Sequence, residues 1–216
     1  SFVPGPNLQA VEHLRAIAQG GGAEVCWTCG PVGVGKTHLL QAVCALAQRA
    51  GISAAYLPLA QLHSHGVEAL EGWQGVRVLA FDDLALIAGE LPWEQRLFGL
   101  YREAQERGAV LIAAAVEPPL LLRFALPDLA SRFAAATLLP LRPLQEAEQR
   151  EALRLRARAR GLELPDETAL YLQRRFRRDL PTLYQLLDTI DEAALQAQRR
   201  LTVPFIRSVL TPDAQE

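Results

Sequence analysis

Short apolar runs alternate with longer amphipathic stretches along the first part of the chain. The runs are apolar on both faces, which is typical of strands buried in a parallel sheet. Apolar positions in the stretches between them recur with helical spacing. The predicted strands are Val25–Cys29, Ala54–Leu57, Val76–Phe81 and Val110–Val116, and the predicted helices are His38–Ala50 and Trp93–Arg107. This alternation predicts an α/β domain whose parallel sheet is flanked by helices.

The pattern changes after Pro140, where no further strand is evident. Gly and Pro residues separate four helical patterns. These are Gln145–Arg160, Asp166–Arg177, Leu180–Gln198 and Val203–Leu210. We therefore predict an α/β domain over residues 1–139 and a small all-helical domain over residues 140–216.

Composition excludes several classes of protein. The 216 residues are 50% apolar and 21% charged, with a net charge of −2, which excludes disorder and argues against a basic nucleic-acid-binding coat. Three cysteines, no visible secretory leader and no apolar run near ~18 residues argue against secretion or a membrane span. We expect a cytoplasmic protein.

The segment from Gly30 to Thr37 fits the pattern GxxxxGK[ST] between a predicted strand and a predicted helix. Glycines let backbone N–H groups surround a phosphate, and the helix directs its positive end at the same place. Lys36 is the chain's single lysine and would meet the β- and γ-phosphates, with the Thr37 hydroxyl on Mg²⁺. The predicted nucleotide-binding residues of this segment are Gly30, Gly33, Val34, Gly35, Lys36, Thr37 and His38.

A phosphate-binding loop of this type needs a second anionic ligand for its metal. Asp82 and Asp83 directly follow the predicted strand Val76–Phe81. Asp82 is the predicted Mg²⁺ ligand, and Asp83 is the candidate to orient or deprotonate the attacking water. The alternative is that both acids only cap the turn after a strand.

Two arginines are candidates to stabilise the charge of a phosphoryl group in transfer. Arg132 lies in a predicted short helical turn just before the helical domain, and Arg178 opens one of its helices. Taken alone, a surface arginine is more often a solvated charge.

For three weaker candidate sites, an ordinary structural role is favoured over a functional one. Cys26 and Cys29 fall on opposite faces of one strand, so buried thiols are favoured over a zinc site. His63 and His65 lie in a loop without a carboxylate near them in sequence, which favours a solvated loop over a metal site. The arginine-rich helix from Gln145 also carries glutamates, which favours an exposed helix over a phosphate-binding face.

Taken in order, these motifs resemble the AAA+ ATPases, within them the branch of the bacterial replication initiators (DnaA), and most closely the initiators' regulatory inactivators (Hda). The resemblance extends over almost the whole chain. The segments that carry it are residues 2–7, 30–40, 81–100, 126–133, 158–161 and 201–205. It implies a P-loop AAA+ core with a helical lid, ADP or ATP with Mg²⁺ as cofactors, Arg132 as an arginine finger acting in trans, and Arg178 as a nucleotide-binding sensor II arginine.

The function implied is inactivation of the initiator: together with the DNA-loaded sliding clamp, the protein would stimulate hydrolysis of initiator-bound ATP. The implied partners are the initiator and the clamp; self-association is left open, and no sequence-specific DNA binding or membrane contact is expected. Inactivators bind the clamp through an N-terminal glutamine-and-leucine motif, and nothing similar precedes Phe2. We expect that motif in a segment before Ser1.

One departure from the family leaves alternatives open. The family has a polar sensor I residue where this chain reads Ala113 to Val116, so its own hydrolysis is expected to be weak. A nucleotide-controlled adaptor or helicase-loader-like module, which would not promote hydrolysis, is the main alternative. A small-molecule P-loop kinase is a third interpretation.

Overall fold

The computed structural model describes residues 3–21, 25–176, 180–197 and 201–210. The chain forms two compact units: Pro6–Pro143 is the first, and Leu144–Glu216 together with Ser1–Gly5 is the second. The first unit continues beyond Pro140 because the backbone N–H of Leu141 still donates to the carbonyl of Cys29, at 2.7 Å.

A five-stranded parallel sheet, in the order β2-β3-β4-β1-β5, forms the centre of the first unit. The strands are β1 (Val25–Cys29), β2 (Ala54–Pro58), β3 (Val78–Asp82), β4 (Val110–Ala115) and β5 (Thr137–Pro140). Every residue of β1 and β3 is buried. Their apolar runs are therefore explained by cover on both faces of the sheet, as the sequence pattern predicts.

The α-helices that accompany this sheet in the described residues are α1 (Leu8–Ala18), α2 (Lys36–Arg49), α3 (Leu59–Leu62), α4 (Leu91–Glu106) and α5 (Pro127–Ala134). Helices α1 and α2 pack together, and α2 also packs on β2 and β3. The buried side chains of α4 and α5 join those of β1, β3 and β4 in one apolar cluster. The predicted α/β fold is confirmed.

The sequence pattern missed strand β5 and helices α1 and α3 of this unit. Strand β5 is short, partly exposed and ends at Pro140, so it has no buried apolar run to indicate it. Proline is tolerated there because β5 lies at the edge of the sheet, beside β1. Helix α1 does have a signal, because its buried residues recur with helical spacing: Ala10, Val11, Leu14, Ile17 and Ala18.

The second unit consists of helices around a separate apolar core. They are α6 (Glu146–Ala159), α7 (Asp166–Arg175), α8 (Leu180–Ala197) and α9 (Val203–Leu210). Leu153, Leu172 and Leu187 are fully buried in this core. A capping box between Gln145 and Glu148 begins α6. The predicted all-helical region is confirmed, with helix ends within two residues of those predicted for α6, α7 and α8.

The helices of the described ranges include none with the length and apolar character that a membrane span requires.

Candidate functional site

The predicted phosphate loop connects β1 directly to α2. Gly35 precedes the first residue of α2 and has φ 106°, a left-handed conformation that glycine adopts without strain. Gly30, at the other end of the loop, has φ 149°, and its N–H donates to the carbonyl of Val116 at 3.0 Å. The loop is thus held against the end of β4, and the N-terminus of a 14-residue helix opens on it. Such a helix end favours an anion.

Lys36 is the buried cation of this loop, with 8% of its surface exposed. Its Nζ donates to the carbonyls of Gly30 and Pro31, at 2.7 and 3.0 Å. Burial lowers the pKa of Lys36, and the nearby carboxylates of Asp82 and Asp83 oppose that shift. An ammonium group has three N–H donors. Two of them fix the side chain to the loop, so one remains to bind an anion.

Gly30 tolerates no side chain. A Cβ added there would lie 2.5 Å from the carbonyl oxygen of Leu141. We expect Gly30→Ala to lower the free energy of unfolding by about 1–3 kcal/mol, the usual cost of a strained backbone position. Gly99→Ala is the matched control: it lies inside α4 with nothing within 4 Å of an added Cβ, and should raise stability by about 0.5–1 kcal/mol. Urea denaturation measures both, and an unchanged Gly30→Ala midpoint would contradict this account of the loop.

The acid pair lies at the carboxyl end of β3. Asp82 is buried: its Oδ2 accepts the hydroxyl proton of Tyr56 at 2.8 Å, and its Oδ1 accepts the N–H of Asp83 at 3.1 Å. Asp83 is exposed, with φ 55°, and is the one described non-glycine residue with positive φ. Partial burial and the charge of Asp82 raise the pKa of Asp83, whereas Lys36 opposes the shift. Asp82 is therefore a fixed carboxylate, and Asp83 faces outward beside it.

These groups fit a magnesium ion in donor chemistry. Mg²⁺ takes oxygen ligands, commonly one or two carboxylates and substrate phosphates. The carboxylate of Asp82 is oriented by two hydrogen bonds, and the Thr37 side chain is exposed in the first turn of α2. Among the described residues, no group of three or more His, Cys, Asp or Glu could form a metal site of its own. A metal here would depend on the nucleotide for its other ligands.

The end of β4, next to the loop, is apolar. Ala113, Ala114 and Ala115 are buried, and Val116 is 44% exposed. The Thr28 hydroxyl, on the neighbouring strand, donates to the carbonyl of Ala113 and not toward the loop. The side chains of this segment therefore offer no polar group to a phosphate or water molecule.

Arg132 lies on α5, whose opposite face is anchored in the core. Leu129 and Phe133 are buried. The centroid of the Phe133 ring lies 5.1 Å from that of Trp27 and 5.5 Å from that of Phe124. Arg132 itself is exposed and makes no hydrogen bond or ion pair within the described residues. The helix thus presents an unpaired cation to the outside of a rigidly packed unit. Arg178, the other predicted arginine, lies outside the described residues.

The weaker candidates have structural partners. Cys26 and Cys29 are buried free thiols; the Cys26 sulfur lies 3.5 Å from His13 Nε2 on α1, whereas Cys29 joins the cluster that contains α4. Nε2 of His63 lies 3.0 Å from Oε1 of Glu90, within hydrogen-bond distance, and the His63 ring stacks on Trp93. The exposed His38 also has a partner.

The arginines of α6 are neutralised mainly inside the second unit. Arg156 and Arg160 pair with Asp188, at 2.9 and 2.8 Å, and Arg160 also pairs with Asp191. Arg154 pairs with Glu151 and Asp166. These three arginines therefore link helices α6, α7 and α8, whereas Arg158 is exposed and Arg150 donates to the neutral side chain of Gln173.

Sequence reasoning missed two buried or partly buried side chains, of which Tyr56 contacts a predicted site residue. Tyr56 orients Asp82 across the β2–β3 pair, and no sequence signal gives the register of two strands. Glu94 is fully buried on α4. It precedes buried Leu97 and Tyr101 at helical spacing, so an acid on an apolar face was available as a signal.

Comparison with known proteins gives two findings. Residues 146–210 match a family model described as the Hda lid domain. Domain III of the replication initiation protein DnaA from Thermotoga maritima is 21% identical with a TM-score of 0.81, over 97% of this chain and 93% of that structure.

Longer structures have the same fold. AMPPCP-bound DnaA from Aquifex aeolicus is 20% identical, with a TM-score of 0.69 over 88% of this chain and 63% of that one. A variant of RuvB from Thermotoga maritima is 19% identical, with a TM-score of 0.68 over 95% and 67%. The chain thus spans about two thirds of these longer structures.

Proposed function

We propose that this chain is a regulatory inactivator of the replication initiator DnaA, on the basis of the match of residues 146–210 to the Hda lid domain and the fold that the chain shares with DnaA domain III. It binds a nucleotide at the loop between β1 and α2 and docks on initiator that holds ATP. Arg132 then stimulates hydrolysis of the initiator's ATP in trans. The sliding clamp loaded on DNA is the proposed second partner, which would link this step to completed replication.

The observation that carries this proposal is the exposed guanidinium of Arg132, which has no partner among the described residues, on the anchored helix α5. An exposed arginine without a partner is by itself more often a solvated charge, so the support that its helix provides also matters. A guanidinium that contacts another molecule's γ-phosphate must reach outward from a rigid support. Placed on a γ-phosphoryl group in transfer, it stabilises the charge of the transition state by roughly 10³ to 10⁵ in rate.

Nucleotide binding is proposed from the loop itself. Lys36 supplies a fixed positive charge with one remaining N–H donor, and the N-terminus of α2 adds partial positive charge. The ligand proposed is ADP or ATP. Mg²⁺ would be held by Thr37 and Asp82 and would neutralise phosphate charge when bound. Arg178, outside the described residues, completes the proposed nucleotide-binding set.

The chain's own hydrolysis is proposed to be weak. Asp83 is the candidate to orient water, but the side chains from Ala113 to Val116, at the end of β4, are apolar. The first charged side chain after them is Glu117, whose charge acts on Lys36. With no polar side chain from β4, an attacking water has one fewer group to orient it. Bound nucleotide would then hold the protein in a docking form, and the chemistry would take place on the partner.

The apolar end of β4 also favours a second candidate, a nucleotide-controlled adaptor that recruits a partner without promoting hydrolysis. Phosphate release from ATP-loaded initiator separates the two, measured with and without this protein and DNA-loaded clamp. The inactivator increases release. The adaptor binds in a nucleotide-dependent way and leaves release unchanged.

A further inference from the structure

Glu94 is a fully buried carboxylate in the core of the first unit, with none of its surface exposed. It lies in the first turn of α4. Burial of an ionised carboxylate costs several kcal/mol unless hydrogen bonds or an ion pair compensate. The structure gives Glu94 no ion pair among the described residues. Its charge is met by backbone hydrogen bonds instead.

Three backbone N–H groups donate to this carboxylate. Gly89 and Ala125 donate to Oε1, at 2.6 and 3.0 Å, and Leu126 donates to Oε2 at 2.6 Å. Gly89 lies just before α4, whereas Ala125 and Leu126 lie immediately before α5. One side chain therefore joins the starts of two helices. Short bonds to a carboxylate are about twice as strong as bonds between neutral groups.

Within the described part of the chain, the donors before α5 have no other backbone partner. Ala125 and Leu126 precede Pro127, the first residue of α5, so their N–H groups lie outside the helix's own ladder. A carboxylate is acceptor-only and can take all three N–H groups, whereas an amide offers one oxygen and adds two donors. The site thus requires glutamate, because glutamine would face a backbone N–H with its NH₂ group.

Arg132 lies between the two anchors of α5. Glu94 fixes the entry of the helix at Leu126, and the buried Phe133 ring fixes its end. We propose that Glu94 is a positioning residue for Arg132, which sets the position from which the guanidinium reaches the partner's phosphate. This inference rests on the proposed function. It adds a residue that does not touch the nucleotide or the partner.

The test compares Glu94→Gln with the parent in stimulated phosphate release from ATP-loaded initiator. We expect the maximal stimulated rate to fall roughly tenfold to a hundredfold, because displacement of a catalytic group by about 1 Å costs rate on that scale. The concentration for half-maximal stimulation and the affinity for nucleotide should stay unchanged. Glu106→Gln, an exposed acid at the end of α4, is the matched control and should keep the parent rate.

Amide hydrogen exchange tests the same contact without any partner. In the parent, the N–H groups of Ala125 and Leu126 should be protected, and Glu94→Gln should speed exchange across residues 125–134 but not across α2. Loop-rate exchange of both amides in the parent would overturn the proposal even if Glu94→Gln failed to fold.

The activity outcomes separate the two proposals. Parental stimulation by Glu94→Gln would overturn the positioning role alone. No stimulation by the parent would overturn the proposed function and with it the role of Glu94 toward Arg132. In that case, exchange would still decide whether Glu94 holds α5.

Discussion

Replacement of Arg132 by alanine is expected to return hydrolysis of initiator-bound ATP to its unstimulated rate. The guanidinium is the group proposed to meet the developing charge on the γ-phosphoryl group, and loss of such a group costs roughly 10³ to 10⁵ in rate. Arg132 is exposed, so its removal leaves the core and the nucleotide loop intact. Single-turnover phosphate release measures the rate, and the melting temperature and nucleotide affinity of the variant should match those of the parent.

Two further variants sharpen this test. Arg132→Lys keeps the charge but loses the planar fork of donors, so it should recover little of the stimulation. Arg102→Ala removes another exposed arginine, on α4, and should stimulate like the parent. Undiminished stimulation by a folded Arg132→Ala protein would exclude the arginine-finger mechanism.

Replacement of Lys36 by alanine is expected to remove most of the stabilisation that nucleotide gives. A ligand at a hundred times its Kd that binds only the folded protein adds about 2.7 kcal/mol. For a protein of this size, that corresponds to about 5–10 °C in Tm. Lys36→Ala should lose this shift, because the buried ammonium is the fixed cation of the loop. Thermal unfolding with and without ADP and Mg²⁺ measures it.

The Tm with nucleotide must be compared with the Tm of the same variant without nucleotide. Lys36 is buried with a lowered pKa, so its removal also changes the stability of the nucleotide-free protein. Arg49→Ala, at the exposed end of the same helix, is the control and should keep the full shift. If Lys36→Ala kept the parental shift, the nucleotide would bind elsewhere or the loop would have no binding role.

The parts of the first unit that could be predicted are those in which local pattern and burial agree. Strand β1 is buried along its whole length, so its apolar run is unbroken, and the following glycines mark the turn into α2. The same holds for β3, whose end places Asp82 beside the loop. These elements needed no knowledge of which strands pair.

The features of the first unit that could not be predicted depend on tertiary contacts. Strand β5 is defined by pairing with β1 and carries little apolar signal of its own. The bond from Tyr56 to Asp82 depends on register: Pro58 pairs with Asp82, so Tyr56, two residues earlier, is on the same face. A single sequence does not give that register.

The second unit shows the same division. The four helices follow from the spacing of their apolar positions, and Gly161 and Pro165 mark the break between α6 and α7. The roles of the arginines on and beside α6 do not follow from that spacing, because Arg156 and Arg160 find their carboxylate partners on α8, about thirty residues away in sequence. The charge of a single helix therefore does not indicate whether its surface is free for a ligand.

A label on the initiator's nucleotide tests most directly whether this protein promotes hydrolysis of initiator-bound ATP. Initiator is loaded with ATP labelled on the γ-phosphate and freed of excess nucleotide, and this protein is loaded separately with ADP. The two are then mixed with DNA-loaded clamp. We predict rapid release of labelled phosphate, and we predict that this release depends on Arg132. Formation of the complex with the label retained on the initiator would contradict this prediction.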